Sequence, residues 1–413
     1  MYSRDLLSDL NSWWKDGIIP EGLVKPYRRK VFAEAKRLFD SYRQMLILTG
    51  LRRVGKSTII FQLMSELIHR VDAKRILYFS FDVSSSDFLT ILHDYQALTG
   101  VDWKKEDIFV FLDEVQKLAG WSGQVKFLYD NYPKIKIVLS GSASLKLDEK
   151  AENDLSGRYF LLEVPPLNLV EFYELKKGRK IDRVELYMNE LKMEVEEYYY
   201  KPFPEIVKWS NMNDVKIYVR EQITSKIVRS DLPDVFRGVN PRLIEGFLSV
   251  FYSRPGAIMN VDELARQFRV SKTTVENYLY YMIYSKLIRI VRNYRPSSYS
   301  ESRKMKKVYP YNVALALSHS KLEKGQIYET IVAGALNAEN YWRQGDKEVD
   351  FIQKEPLVPY EVKSGKDVSC NELRSIRYFI SRFDCKEGYV IYDGPLAEHD
   401  GITFLPLVLL LAS

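Results

Sequence analysis

The sequence predicts an α/β protein of several domains, and three observations lead there. Its 413 residues exceed what one ordinary core holds, at about 150 residues per domain. Hydrophobic residues make up 46% and charged residues 28%, a globular usage that excludes a mainly disordered or fibrous chain. From Gln44 to Val164, short apolar runs alternate with amphipathic stretches, the pattern of a parallel sheet covered by helices on both faces. The segment from Met1 to Tyr42, with Trp13 and Trp14, predicts a helical lead-in packed on that sheet, so the first domain is set at 1–164. Charged, helix-favouring residues broken by Pro202 and Pro204 predict a helical lid or connector over 165–235. A helix-turn-helix pattern with a basic hairpin follows over 236–311, and alternating helix and strand return over 312–413. No internal repeat is found.

Charge and cysteine content narrow the setting. Sixty-one Lys and Arg against 55 Asp and Glu leave +6, which permits nucleic-acid contact without establishing it. Cys370 and Cys385 cannot build a disulfide framework, and no leader pattern opens the chain, so a cytoplasmic protein is expected. The apolar run from Ile402 to Ala412 contains Pro406 and falls short of the ~20 residues a membrane helix needs, which predicts a buried terminal element and no membrane anchor. His69, His93, His319 and His399 lack metal-ligand spacing.

The runs MLILT, RILYFSF, IFVFL, IKIVLS and YFLLEV supply five strand candidates. After MLILT comes GLRRVGKST, whose Gly50, Gly55, Lys56 and Ser57 fit the GxxxxGK[ST] phosphate-binding pattern in its strand, loop and helix context; Thr58 follows. The glycines let backbone N–H groups curl around terminal phosphates at the positive end of the next helix. Lys56 is expected on the β and γ phosphates and Ser57 on Mg²⁺, with ATP as the nucleotide. The apolar strand from Ile108 to Leu112 ends in Asp113 and Glu114, placing Asp113 near Mg²⁺ and Glu114 beside an attacking water as its base. Arg158, in SGR, begins the next strand and is a candidate to offset charge at a γ phosphate of the same or a neighbouring subunit; a surface ion pair is the alternative.

GLRRVGKST, IFVFLDEVQ, VLSGSAS with SGR, and the late pair EVDFI and PYEVK carry a resemblance. From Gly50 onward the chain resembles AAA+-type P-loop ATPases of archaea and bacteria in which the motor-like domain is followed by a winged helix and a restriction-endonuclease-like domain. The fold class this implies is a P-loop NTPase parallel sheet with a helical lid, a winged helix-turn-helix and an α/β nuclease-like domain. The resemblance also implies that Ser140 or Ser142, after IKIVL, stands between the carboxylates and the γ phosphate, where many relatives carry Asn.

Within VDELARQFRVSKTTVENYLYYMIYSKLIRIV, Leu264 and Phe268 and then Val275 and Leu279 give each of two helices one buried stripe. Ser271 caps the second, leaving Lys272, Thr273, Thr274 and Asn277 where a recognition helix meets DNA. The hairpin after it carries Arg292, Arg295, Arg303, Lys304, Lys306 and Lys307. Two readings stay open: DNA contact, with Lys306 and Lys307 prominent, or packing between domains.

In LVPYEVKSG, Glu361 and Lys363 leave the same face of a strand, and a hairpin from EVDFI brings Asp350 beside Glu361. Glu329, on the helix IYETIVAGAL, offers a third carboxylate, and Arg343 and Glu348 border the group. The set is similar to the PD-(D/E)XK nuclease arrangement, which implies Mg²⁺ on the carboxylates and a lysine that positions water; an inactive derivative is the alternative. The leading expectation is an ATPase whose nucleotide state rearranges the appended domains, with DNA as partner and a homo-oligomer or protein partner possible. A nucleotide-gated switch with negligible turnover, and an ATP-regulated Mg²⁺-dependent nuclease, are the alternatives.

Overall fold

The computed structural model describes residues 2–83, 87–142, 153–236, 238–296 and 305–412. Side chains at 2, 3 and 142 are outside that description, so the expectation for the Ser142 side chain lies beyond it, as do those for Arg303 and Lys304. The chain divides into two compact units. The first is Met1–Pro165 with Asp234–Arg237, and the second is Pro166–Pro233 with Gly238–Ser413.

The first unit is built on β1 (Met45–Gly50), β2 (Ile76–Ser80), β3 (Ile108–Asp113), β4 (Ile135–Ser142) and β5 (Tyr159–Glu163). These strands are parallel in the order β2-β3-β4-β1-β5. Every residue of β1 and β2 is buried, because helices cover both faces of the sheet and leave the strands no solvated side. The outer edge of β2 is occupied by the lead-in. Asn11 pairs with the backbone of Tyr78 as a strand would, donating from Nδ2 at 2.9 Å and accepting at 2.7 Å, while Trp13 and Trp14 both donate to the Ile76 carbonyl. An edge that would otherwise template foreign strands is closed by these side chains.

In the second unit β6 (Ile258–Met259), β7 (Ile288–Asn293), β8 (Lys306–Pro310), β9 (Asn340–Gln344), β10 (Lys347–Gln353), β11 (Val358–Val362), β12 (Gly388–Tyr392), β13 (Ala397–His399) and β14 (Ile402–Pro406) form one sheet. The order is β13-β14-β12-β11-β10-β9-β7-β8-β6. The basic hairpin β7–β8 joins the later strands because Arg292 and Asn293 of β7 pair with Asn340 and Tyr341 of β9 in parallel. The boundary expected at 311/312 is therefore crossed by a continuous sheet. The stretch expected as a separate lid likewise shares a core with the C-terminus: Phe172 and Leu191 belong to the same apolar cluster as Leu407 and Leu411. Long-range strand pairing and packing, which composition does not reveal, thus join stretches that the sequence division set apart.

This sheet curls. Two strands separate β8 from β10 in hydrogen-bond order, so a flat sheet would hold them about 14 Å apart. Yet the Tyr309 and Phe351 rings are 5.6 Å apart. The concave face turns β8 toward β10, and a charged cluster lies there.

Candidate functional site

At the end of β1 the backbone of Gly50 takes φ 154°, and a Cβ built there would stand 2.3 Å from the Val164 carbonyl oxygen. Only glycine tolerates that approach. Gly55 adopts φ 97° in open surroundings, so there the requirement is conformational. The helix Lys56–Leu67 follows without a side-chain cap at Gly55, leaving its first-turn N–H groups for an anion.

Lys56 is only 6% exposed, and its ammonium donates to the carbonyls of Gly50 at 3.2 Å and Leu51 at 3.0 Å. Among the described residues it makes no ion pair. Asp113, at the end of β3, is 4% exposed and is served by neutral donors: the Ser57 hydroxyl at 2.6 Å, the Tyr78 hydroxyl at 3.2 Å and the Ser140 hydroxyl. Ser140 reaches it because β4 lies between β1 and β3, with Leu48 opposite Ser140. Burial beside the Asp113 charge drives the Tyr78 phenol far above its ordinary range, keeping it a donor. Glu114 sits in the left-handed region at φ 54°, which turns its side chain out of the strand direction. Burial is the main cause lifting its carboxyl above the usual range, opposed by the Lys56 charge. Gln116 donates to it. Thr58 is half-buried in the first turn of the helix.

Magnesium and a nucleotide fit this donor set. A buried ammonium is held only by carbonyls, the helix N-terminus is uncapped, and the Ser57 hydroxyl touches the Asp113 carboxylate.

Arg158 takes the surface ion pair, the alternative of its two sequence readings. It stands before Tyr159, opposite Met45 at the start of β1, whereas the phosphate loop follows Gly50 at the other end. Five residues of strand put about 16 Å between them. Its guanidinium instead grips Asp130 with two nitrogens, at 2.8 and 3.1 Å. A role at the phosphates of its own subunit is excluded by this geometry.

Sequence reading also assigned no chemistry to the lead-in, yet Arg29 is buried there and donates to Val54 in the phosphate loop at 2.8 Å and to Pro165 at 2.7 Å. Gln62, on the helix after the loop, donates to the carbonyls of Lys25 and Tyr27. The segment before Arg29 is thus tied to the loop and its helix. YRRK carries no pattern that distinguishes Arg29 from its neighbours.

On the second unit the helix Lys272–Tyr284 is capped by Ser271, which accepts from the Thr274 N–H at 3.0 Å. Lys272, Thr273 and Asn277 are exposed, Thr274 is half-buried, and Lys272 pairs with Asp262. Lys306 is half-buried, but Lys307 requires a correction as a nucleic-acid contact: it is 5% exposed, and its ammonium is 2.5 Å from Glu348. Period two along β8 puts Lys307 on the inner face with Tyr309, whose hydroxyl donates to Glu329 at 3.0 Å.

The carboxylates singled out from the sequence come together here. Asp350 accepts from the Val362 N–H at 2.8 Å, and Glu361 accepts from Lys363 at 2.8 Å. Burial first and the Asp350 charge second push Glu329 up to about 7 and Glu361 up to about 8, and burial raises Asp350 as well. A cleft of about 600 Å³ opens beside Lys307, Glu329, Glu348 and Arg343.

Comparison with known proteins matches three segments of the chain. Residues 42–173 match the AAA domain family AAA_14, while 195–326 and 324–410 match two domains of unknown function, DUF8612 and DUF4143. Uncharacterized protein MJ1637 of Methanocaldococcus jannaschii is 28% identical over 234 residues, covering 53% of this chain and 48% of that protein. Uncharacterized protein MJ1544 of the same organism is 25% identical over 329 residues, covering 74% and 71%. The chain thus matches about half the length of the first relative. Among solved structures, AMPPCP-bound DnaA from Aquifex aeolicus aligns with a TM-score of 0.28 at 18% identity, covering 65% of this chain and 89% of that one. Among the described residues no helix is long and apolar enough to cross a membrane. The family match, the parallel five-stranded sheet and the loop geometry together support a P-loop nucleotide-binding fold of AAA type over residues 42–173.

Proposed function

We propose that the first unit binds ATP with Mg²⁺ and hydrolyses it, and that its nucleotide state controls a second unit that contacts DNA. The observation that carries this reading is the buried, carbonyl-held ammonium of Lys56 beside the Ser57–Asp113 hydrogen bond of 2.6 Å. An ammonium held by carbonyls alone gains by turning to phosphate oxygens, where its interaction becomes charge-assisted. The N–H groups at the start of Lys56–Leu67 receive the same oxygens. Ser57 and Asp113 would hold Mg²⁺, which would supply neutralisation of the phosphate charge. Ser140 and Tyr78 hold the Asp113 carboxylate in one orientation.

Glu114 is the base. A carboxyl lifted above its ordinary range by burial takes a proton from water more readily than an exposed one. Arg29 is a positioning residue, fixing the loop through Val54. Support for DNA as the partner of the second unit comes from the exposed Lys272, Thr273 and Asn277 at the start of a capped helix. Nucleotide-binding and single-turnover assays test the reading. Lys56→Ala is expected to abolish ATP binding, and Glu114→Gln to keep binding while lowering turnover by roughly 10²–10⁴-fold; ordinary turnover by Glu114→Gln would remove the assigned base.

A further inference from the structure

The likeness of the second unit's carboxylates to a nuclease arrangement implies a divalent metal ion, and the residues present do not fit one. Among the described residues no three His, Cys, Asp or Glu side chains are grouped so as to hold a metal. An ammonium stands among the carboxylates instead. Lys307 enters from β8, a strand outside the nuclease-like motif, pairs with Glu348 at 2.5 Å and is attracted by Asp350 and Glu329 as well.

We propose that Lys307 is the resident cation of this cluster, so that Glu329, Glu348 and Asp350 form a metal-independent ion network closing the concave face of the sheet. Three features of the fold support it. Burial deprives Lys307 of hydration, and that cost is offset by Glu348, paired with it at 2.5 Å, and by the charges of Asp350 and Glu329. Tyr309, two residues on, repeats the contact from the same face by donating to Glu329, so β8 addresses the cluster twice. Lys363 supplies a second ammonium on the far side, against Glu361. Divalent ions and lysine ammonium groups compete for the same oxygens, and here the ammonium is covalently delivered at a high effective concentration.

One atom leaves the proposal open to refutation: Glu361 Oε2 is buried without a hydrogen-bond partner, so it is where an ion would be welcomed. The test uses the full chain stripped with EDTA and titrated with Mn²⁺, free Mn²⁺ being read by electron paramagnetic resonance. Wild type and Glu361→Gln are expected to take up equal Mn²⁺, while Lys307→Met gains a site that Lys307→Met/Glu361→Gln lacks. Greater uptake by wild type than by Glu361→Gln overturns the proposal, as does a folded Lys307→Met chain that gains nothing. If Lys307→Met does not fold, the comparison of wild type with Glu361→Gln decides alone. Mn²⁺ uptake is scored without nucleotide, so failure of the ATPase reading leaves this result unaffected.

Discussion

Each unit buries a lysine near acidic residues, and the two arrangements are opposite. In the first, Lys56 touches carbonyls while Asp113 receives hydroxyls, so neither charge is ion-paired with the other. In the second, Lys307 is ion-paired with Glu348, and Lys363 with Glu361. Desolvated charge left unpaired is costly, and a fold that keeps it holds a place for a charged ligand; charge already paired has been compensated within the chain. The same two residue types therefore indicate a binding site in one place and an internal joint in the other.

The sharpest way to break this contrast is to remove each ammonium without its bulk. Lys307→Met is expected to lower unfolding free energy by roughly 1–3 kcal/mol, since it leaves half-buried carboxylates without their cation. Lys56→Met should keep its stability and lose nucleotide binding; equal losses in urea titrations would erase the distinction. A smaller effect is expected from Arg29→Ala, which frees the Val54 carbonyl from a charged donor: about a tenfold weaker ATP affinity, or ~1.4 kcal/mol, by calorimetry. The cluster also predicts a pH dependence. With Glu329 and Glu361 raised to about 7 and 8 from an ordinary 4.5, the folded chain holds more protons than the unfolded one between those limits. Stability then falls as pH rises through that window, and Glu361→Gln should flatten the slope. The smallest effect separates neighbours: Lys306→Ala should reduce the log-log salt slope of DNA binding by about one unit, and Lys307→Met should not change it.

How much of this was legible depended on range. The five strands of the first sheet showed as apolar runs because burial on both faces removes polar residues from them. Gly50, Gly55, Lys56 and Ser57 showed because phosphate binding needs that local spacing. Lys307 did not show, since KMKKVY looks like a solvated basic hairpin until β7 is known to pair with β9. Its period-two relation to Tyr309 was in the sequence, but which face of β8 lies inward is set by strands far along the chain. Arg158 stayed open between a phosphate role and a surface ion pair because SGR does not show at which end of the sheet it lies; the parallel register places it at the end remote from the loop. Arg29 acts through backbone carbonyls, and carbonyls carry no sequence signature.

One guanidinium links two places with different duties. Arg29 holds Val54, inside the loop that would face phosphate, and Pro165, the residue at which the chain leaves the first unit. Gly50 presses on Val164 just before it. A displacement of the loop beyond hydrogen-bond tolerance must therefore rupture the Arg29 clasp or drag the departing peptide with it. The chain that leaves the first unit at Pro165 thus has its last fixed point beside the phosphate loop.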